Sequence, residues 1–298
     1  MNRDAARKLV RTLAGELDRA MEQARIPGHP RPYYISYLVR DEEDWRIQAR
    51  YGALYADSHE RKRNAFVDVR VGSYRSDHLR DGGLIDNDKE AESYSYVDLP
   101  FGDRPDAVRH GIWRLTDARY REAVESLLQK RSHELTFRDM HRNLVAFERR
   151  QPVVDLRWRD FPEVDRDYWV RFVESVSTML RRYTDIKDSN VEFQAEHTCR
   201  IFVDSEGARQ IQCQPIWSLE VYLWLLSERG DALPWTIKHT VADPAELPGE
   251  EALRREIAAA VRTLRRLAVA PTLRSFSGPA LLAPVPVSYT HLRAHETS

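Results

Sequence analysis

The sequence predicts an α+β fold made of two units, each a helix followed by three antiparallel strands. Three observations carry that expectation. Residues Val191 to Val241 alternate apolar and polar in three runs, a second alternating stretch spans Tyr33 to Tyr74, and an amphipathic helical run stands directly ahead of each.

The first helix is expected over residues 4–26, because Leu9, Val10, Leu13, Leu17, Met21 and Ala24 recur at helical spacing and Pro27-Gly28 stops the pattern. Three strands are predicted next: Tyr33 to Arg40, Trp45 to Tyr55 and Asn64 to Tyr74. Arg75 to Arg114, rich in Asp, Gly and Ser, reads as a long loop. Its Asp86-Asn87-Asp88-Lys89-Glu90 run fails as a calcium loop, since Ala91 and Val97 stand where Gly and Glu are required. A helix is predicted to open near Thr116-Asp117, and Phe137, Met140, Leu144, Val145 and Phe147 suggest its continuation or a further helix. Gln151 to Glu163 connects to the second unit.

Trp169, Phe172, Val173, Val176, Met179, Leu180 and Tyr183 define the second unit's helix, expected over 166–183. In the meander, Val191, Phe193, Ala195, His197, Cys199, Ile201 and Val203 share one face, as do Ile211, Cys213, Pro215, Trp217, Leu219, Val221, Leu223 and Leu225. Both sets are odd-numbered, which favours a three-residue loop, Ser205 to Gly207, within the turn Asp204-Ser205-Glu206-Gly207. Trp235 to Val241 makes the third strand. A linker at 243–249, a helix over 250–268 and a Gly-Pro turn into an apolar strand at Phe276 to Leu282 complete the pattern. The shared element order suggests an internal duplication, although no residue-by-residue repeat is visible.

With a formal net charge of −1 and 31% charged residues, the chain has no basic nucleic-acid surface. No apolar run approaches the roughly 20 residues of a membrane helix, and the N-terminus has no signal-peptide core, so the expected location is cytoplasmic. The hairpin register brings Cys199 and Cys213, the two cysteines, close together. A cross-strand disulfide is geometrically conceivable, but reduced thiols are the expectation for a cytosolic protein. His197 reads as a hydrogen-bonded core histidine. His29, His59, His78, His110, His133, His141 and His239 show no ligand spacing. Arg200 and Glu206 are candidates for gripping a peptide, with solvated turn residues as the plainer reading. Tyr33, Tyr34, Trp217, Tyr222 and Trp224 are expected to pack a core or a partner. There is no phosphate loop and no Gly-x-Ser-x-Gly elbow.

Four segments carry a resemblance to the TldD/PmbA family, metallopeptidase-related proteins once described as modulators of DNA gyrase. They are Val67 to Gly72, Ile112 to Asp117 with its continuation from Tyr120 to Lys130, Ile201 to Gly207, and Phe276 to Leu282. Asp204 departs from the Asn usual at that turn. The resemblance implies an N-terminal domain over 1–80, a loop and connecting helices over 81–150, a central domain over 151–247, and the start of a C-terminal metallopeptidase domain over 248–286. It also implies peptide or unfolded-protein substrates and a homologous partner subunit. In the TldD branch, a His-Glu-x-x-x-His helix after the Ser-Gly-Pro strand holds the metal. The PmbA branch lacks that helix motif and serves as the partner subunit of a heterodimer.

In this chain the matching sequence runs out at about Pro284 to Pro286. His291 and His295 follow, four apart, but Leu292 stands where a zincin needs Glu. The tail over 287–298 also resembles a translated sequencing adapter, in which case its chemistry carries no meaning. The expectation is therefore a fragment with no catalytic or metal residue and no cofactor of its own, zinc belonging to the full-length TldD-type parent. The alternative is a non-catalytic PmbA/TldE-like partner subunit.

Overall fold

In the computed structural model, residues 1–79, 96–102, 104–136, 145–271 and 277–278 are described. The elements in order are α1 (Arg3–Gln23), β1 (Pro32–Arg50), β2 (Ala53–Val71), β3 (Val97–Asp98), α2 (Pro105–Thr136), β4 (Val154–Asp155), α3 (Arg166–Thr178) with a 3-10 turn at Met179–Arg182, β5 (Ile186–Asp204), β6 (Arg209–Leu226), β7 (Ala232–Val241), a 3-10 turn at Pro244–Glu246 and α4 (Glu250–Ala268). The α+β class holds.

Local chemistry sets the helix ends. The Asn2 side chain accepts from the Ala5 amide at 2.9 Å and opens α1, and Asp165 accepts from the Tyr168 amide at 2.9 Å to open α3. In α4, Glu250 and Glu251 occupy the first turn and Arg265 and Arg266 the last, each sign opposite to the charge of that end of the helix dipole.

The strands form one sheet in the order β3-β2-β1-β5-β6-β4, with β7 also paired to β6. Every pairing is antiparallel except the two-residue β4–β6 contact. In β1, β5 and β6, odd residues lie opposite odd residues, as in Val39↔Ile201 and Phe193↔Leu219, so one face carries the apolar set across all three strands. At one end of the strands, Leu9, Leu13 and Leu17 of α1 and Ile112 and Val124 of α2 join Ile35, Tyr37, Val69 and Ile201 in a first core. At the other end, Phe172 and Val176 of α3 and Ile257 and Val261 of α4 join Ile47, Phe193, Trp217 and Val221 in a second. The opposite face carries Arg40, Glu42, Asp44, Arg46, Glu192, Gln194, Glu196 and Arg200, as an antiparallel sheet with one solvated side requires.

Three expectations are corrected. The runs Tyr33 to Arg40 and Trp45 to Tyr55 are not two strands: β1 is continuous over 19 residues, β2 starts at Ala53, and the first unit has two long strands where three were predicted. The acidic run Asp41 to Asp44 looks like a break because it interrupts the apolar pattern. In the sheet, Asp41, Glu42 and Glu43 lie opposite Arg63, Lys62 and Arg61, and cross-strand charge pairing keeps the ladder intact. The loop expected as far as Arg114 ends earlier, since α2 starts at Pro105. Thr116 is no cap; it is 4% exposed inside α2, and its hydroxyl donates to the Ile112 carbonyl at 2.7 Å. Finally, Cys199 and Cys213 are not free thiols but a disulfide between directly opposite residues.

The second unit matches its expectation strand for strand. Val203 lies opposite Arg209, and the Asp204 amide donates to the Ala208 carbonyl at 3.2 Å, closing the three-residue loop Ser205 to Gly207. Gly207 has φ +107°, the left-handed region that glycine enters without strain. The Asp86 to Glu90 run, Phe137 to Leu144, the strand expected at Phe276 to Leu282 (apart from Ser277 and Gly278) and the tail beyond it lie outside the described residues.

Candidate functional site

Between the two cores, on the helix-covered face, β1, β2, β5 and β6 carry polar and sulfur-bearing residues. Asp41 is 2% exposed and accepts from Arg63 Nε at 2.5 Å. The amino group of Met1 lies 3.6 Å from the same carboxylate. Arg63, 7% exposed, also donates to the Pro100 carbonyl at 2.8 Å. A buried carboxylate thus holds two cations, which offsets the cost of taking these charges out of water. Two residues further along β1, Glu43 lies 3.0 Å from Nε2 of His59 on β2, whose ring stacks on Trp45 at 3.7 Å.

On β5, Cys199 lies opposite Asp41 and His197 opposite Glu43. His197 is 2% exposed, and its ring lies parallel to Phe161 at 4.8 Å, with Trp158 edge-on at 6.1 Å. Burial holds its pKa below the ordinary histidine value, the Met1 amino group adds to that, and Glu43 and Asp41 oppose it. His197 Nε2 is 3.4 Å from Cys199 Sγ. His197, Cys199 and Cys213 place their ligand atoms within 4.8 Å of one another, the one such group among the described residues. The core-histidine reading of His197 therefore describes its burial, and the structure adds two sulfurs. Cys213, half-buried, lines an open groove with Asp155, Arg157, Trp158 and Gln212.

The β5–β6 turn forms a second polar cluster. Tyr74 donates to Glu206 at 2.6 Å, and Arg149 stands 3.9 Å from the same carboxylate. Burial, then the hydrogen bond to Glu206, pushes the Tyr74 phenol up to about 12. Asp77, fully buried, accepts from Tyr33 and from Arg70, both at 3.1 Å. Phe147 packs on Tyr34 at 4.8 Å and lies under the Arg70 guanidinium at 4.1 Å. Arg200 stands on β5 four residues before Asp204, on the solvated face opposite Arg40 and Gln212. Glu206 in the turn is bonded to Tyr74, with Arg149 beside it, and Arg200 faces other partners.

The remaining candidates separate by face. Trp217 is core, whereas Tyr222 is 36% exposed on the solvated face, which Trp224 shares. His239 pairs with Glu256 at 2.7 Å, His78 accepts from the Val71 amide at 3.5 Å, and His110 lies 5.9 Å from Trp113. The backbone of His29 donates to Ile26, while the His133 side chain, His141, His291 and His295 fall outside the described residues. Periodicity does not reveal the Asp41–Arg63 pair. The signal available is an acidic run at 41–44 and a basic run at 61–63, on segments that pair as neighbouring strands.

No helix among the described residues is long and apolar enough to cross a membrane. No family model and no curated protein matches the chain. Among solved structures, the chain is similar to TldE from Thermococcus kodakarensis, at 12% identity and TM-score 0.45, over 85% of this chain and 46% of that one. It is also similar to a protein from Thermotoga maritima described as a modulator of DNA gyrase, at 12% identity and TM-score 0.46, over 88% and 50%. A protein of the same description from Bacteroides thetaiotaomicron gives 9% identity and TM-score 0.49, over 85% and 49%. The chain spans about half the length of these structures. Their names are those of the TldD/PmbA family, the family that the sequence itself resembles.

Proposed function

We propose that the chain is the substrate-holding part of a TldD/PmbA-type metallopeptidase, a platform that binds extended peptide and performs no hydrolysis by itself. The observation that carries this reading is a free edge of the sheet, the outer side of β7. Among the described residues, β7 pairs with β6 on one side only, and along it residues alternate between exposed and half-buried from Ala232 to Val241. An open row of amides and carbonyls next to a core accepts one more strand without regard to its sequence, which suits peptide or unfolded-protein substrates. Pro234 and Lys238 on this strand discourage indiscriminate pairing.

Hydrogen exchange tests it. Adding an unstructured peptide should slow exchange of the outward amides of β7 while leaving β1 unchanged. Peptide binding that leaves β7 exchange unaltered would reject the edge as the site. A second reading is the non-catalytic partner subunit of a heterodimer. It draws on the metal-ligand group of the described residues, whose two sulfurs are tied to each other and so offer no water-activating ion in that form. Reading the gene beyond codon 286 separates the two: a His-Glu-x-x-x-His string supports the peptidase, and a full-length frame without one supports the partner. The cytoplasm is the location this reading assigns, where thiol reductants reach a protein's disulfides.

A further inference from the structure

We propose that the Cys199–Cys213 disulfide is the oxidised, closed form of a metal site, and that the reduced chain binds one thiophilic divalent cation, zinc foremost, through Cys199 Sγ, Cys213 Sγ and His197 Nε2. This does not depend on the peptidase reading.

The register builds the site. His197 and Cys199 are two apart on β5 and share a face, and Cys213 lies directly opposite Cys199 on β6. The three ligand atoms already fall within 4.8 Å of one another, on two strands paired in register. Zinc–sulfur and zinc–nitrogen bonds of about 2.3 and 2.0 Å set the edges of a tetrahedral site at about 3.5 to 3.8 Å. The His197 Nε2 to Cys199 Sγ distance is 3.4 Å, close to one such edge. The two sulfurs must separate, and Cys213 Sγ, which lies within 4.8 Å of His197 Nε2, must settle at a similar edge from it. The imidazole is held by its stacking on Phe161 and by the edge-on Trp158 ring. The groove beside Cys213 opens the site to reductant, to the ion and to a water as fourth ligand.

The chemistry balances with a dithiol as reductant. Two electrons and two protons pass from the dithiol to the protein, the Cys199–Cys213 bond breaks to give two thiols, and the dithiol closes into its own disulfide. The cation then forms two bonds to sulfur and one to nitrogen, and the two thiol protons leave to solvent. The oxidised, disulfide form of the dithiol reverses this: it takes two electrons from the two thiolates and two protons from solvent to become the dithiol again, the Cys199–Cys213 bond re-forms and the ion leaves.

Cobalt(II) is the probe, since thiolate ligation gives it an intense charge-transfer absorption that histidine or carboxylate ligation does not. The full chain, reduced with a water-soluble phosphine that is itself converted to the phosphine oxide, should develop that band with one cobalt per chain and lose it to one equivalent of zinc. The oxidised chain should show none. Cys213→Ser should diminish the band, and His197→Gln should keep a thiolate band but weaken cobalt binding by roughly tenfold or more. A reduced chain that unfolds, followed by circular dichroism, but refolds on one equivalent of zinc also supports the site. No thiolate band in the reduced wild type, a Cys213→Ser chain unchanged in band and affinity, or unfolding that zinc does not reverse would overturn it. So would binding without a thiolate band that disappears in His291→Ala/His295→Ala.

Discussion

Hairpins β1–β2 and β5–β6 lie side by side in one sheet, and each runs for 18 or 19 residues per strand, far beyond the usual length of about 5 or 6. Each must cross the gap between the two helix-covered cores, and they cross it differently. The first uses charge: the buried pair Asp41 and Arg63, with the Met1 amino group beside them. The second uses a disulfide beside a stacked histidine. Their turns differ too. Tyr51 and Gly52 form a two-residue turn with φ of 48° and 82°, the doubly left-handed geometry that matches strand twist. The Asp204 carboxylate instead organises a three-residue loop by accepting from the Glu206 and Ala208 amides at 3.0 and 2.8 Å. A long strand can pass from one core to another if its middle residues are paired locally, by whatever chemistry, and the choice decides what condition breaks the link.

The largest effect is expected at the charged crossing. Asp41→Ala strands a buried guanidinium and should cost about 3–5 kcal/mol in urea unfolding. An Asp41→Leu/Arg63→Met pair should recover most of that loss, and a double variant as unstable as the single one would show that the ion pair is not the cause. Phe193→Ala, at a fully buried ring stacked on Trp169 at 3.9 Å, should cost about as much, but by opening a cavity in the second core. Hydrogen exchange should then rise at the α3–α4 end first; a uniform rise would mean that the two cores unfold as one.

Reducing the disulfide in metal-free buffer should lower stability by about 3 kcal/mol, from the entropy of closing a loop between residues 14 apart. The Asp41→Ala chain should show the same decrement if the two crossings act independently. Gly52→Ala should cost about 1–3 kcal/mol, because the residue has φ +82° and its amide donates to Ser177 at 2.9 Å, with Thr178 against the place a Cβ would occupy. Thermal unfolding of Gly52→Ala beside Gly207→Ala ranks the two turns: Gly207 has only Pro152 near, at 3.5 Å, so its loss should be the smaller.

The smallest effect is in pH dependence. Burial holds both His78 and His197 below the ordinary histidine value. The unfolded chain therefore takes up these protons first as pH falls. Stability should begin to drop as pH passes down through the ordinary histidine value and continue to drop toward the folded values. His78→Gln and His197→Gln should each flatten that slope. A slope unchanged in both would place its origin in the carboxylates.

Legibility in the sequence divides along the same line. The second hairpin announces its strands, its faces and its loop length, since its polar middle interrupts neither the alternation nor the parity: His197 and Cys199 are acceptable on a buried face. The first does not, because Asp41 and Glu43 fall where apolar residues are expected, and a local reading sees only a break. Thr116 misleads in the same way. A hydroxyl suits a helix cap or a helix interior, and only the packing against Tyr37, whose hydroxyl is 3.2 Å away, says which.

By itself, the sequence determined the α+β class, the amphipathic helices, the β5–β6 register and the adjacency of the two cysteines, since these follow from the period of each element and the length of one turn. Tertiary structure decided that the first unit's strands are continuous, that the two units share one sheet through β1 and β5, and that His197 faces a sulfur pair beside Phe161. Each of these depends on the partner that a residue meets across many positions in the chain, and no local pattern names that partner.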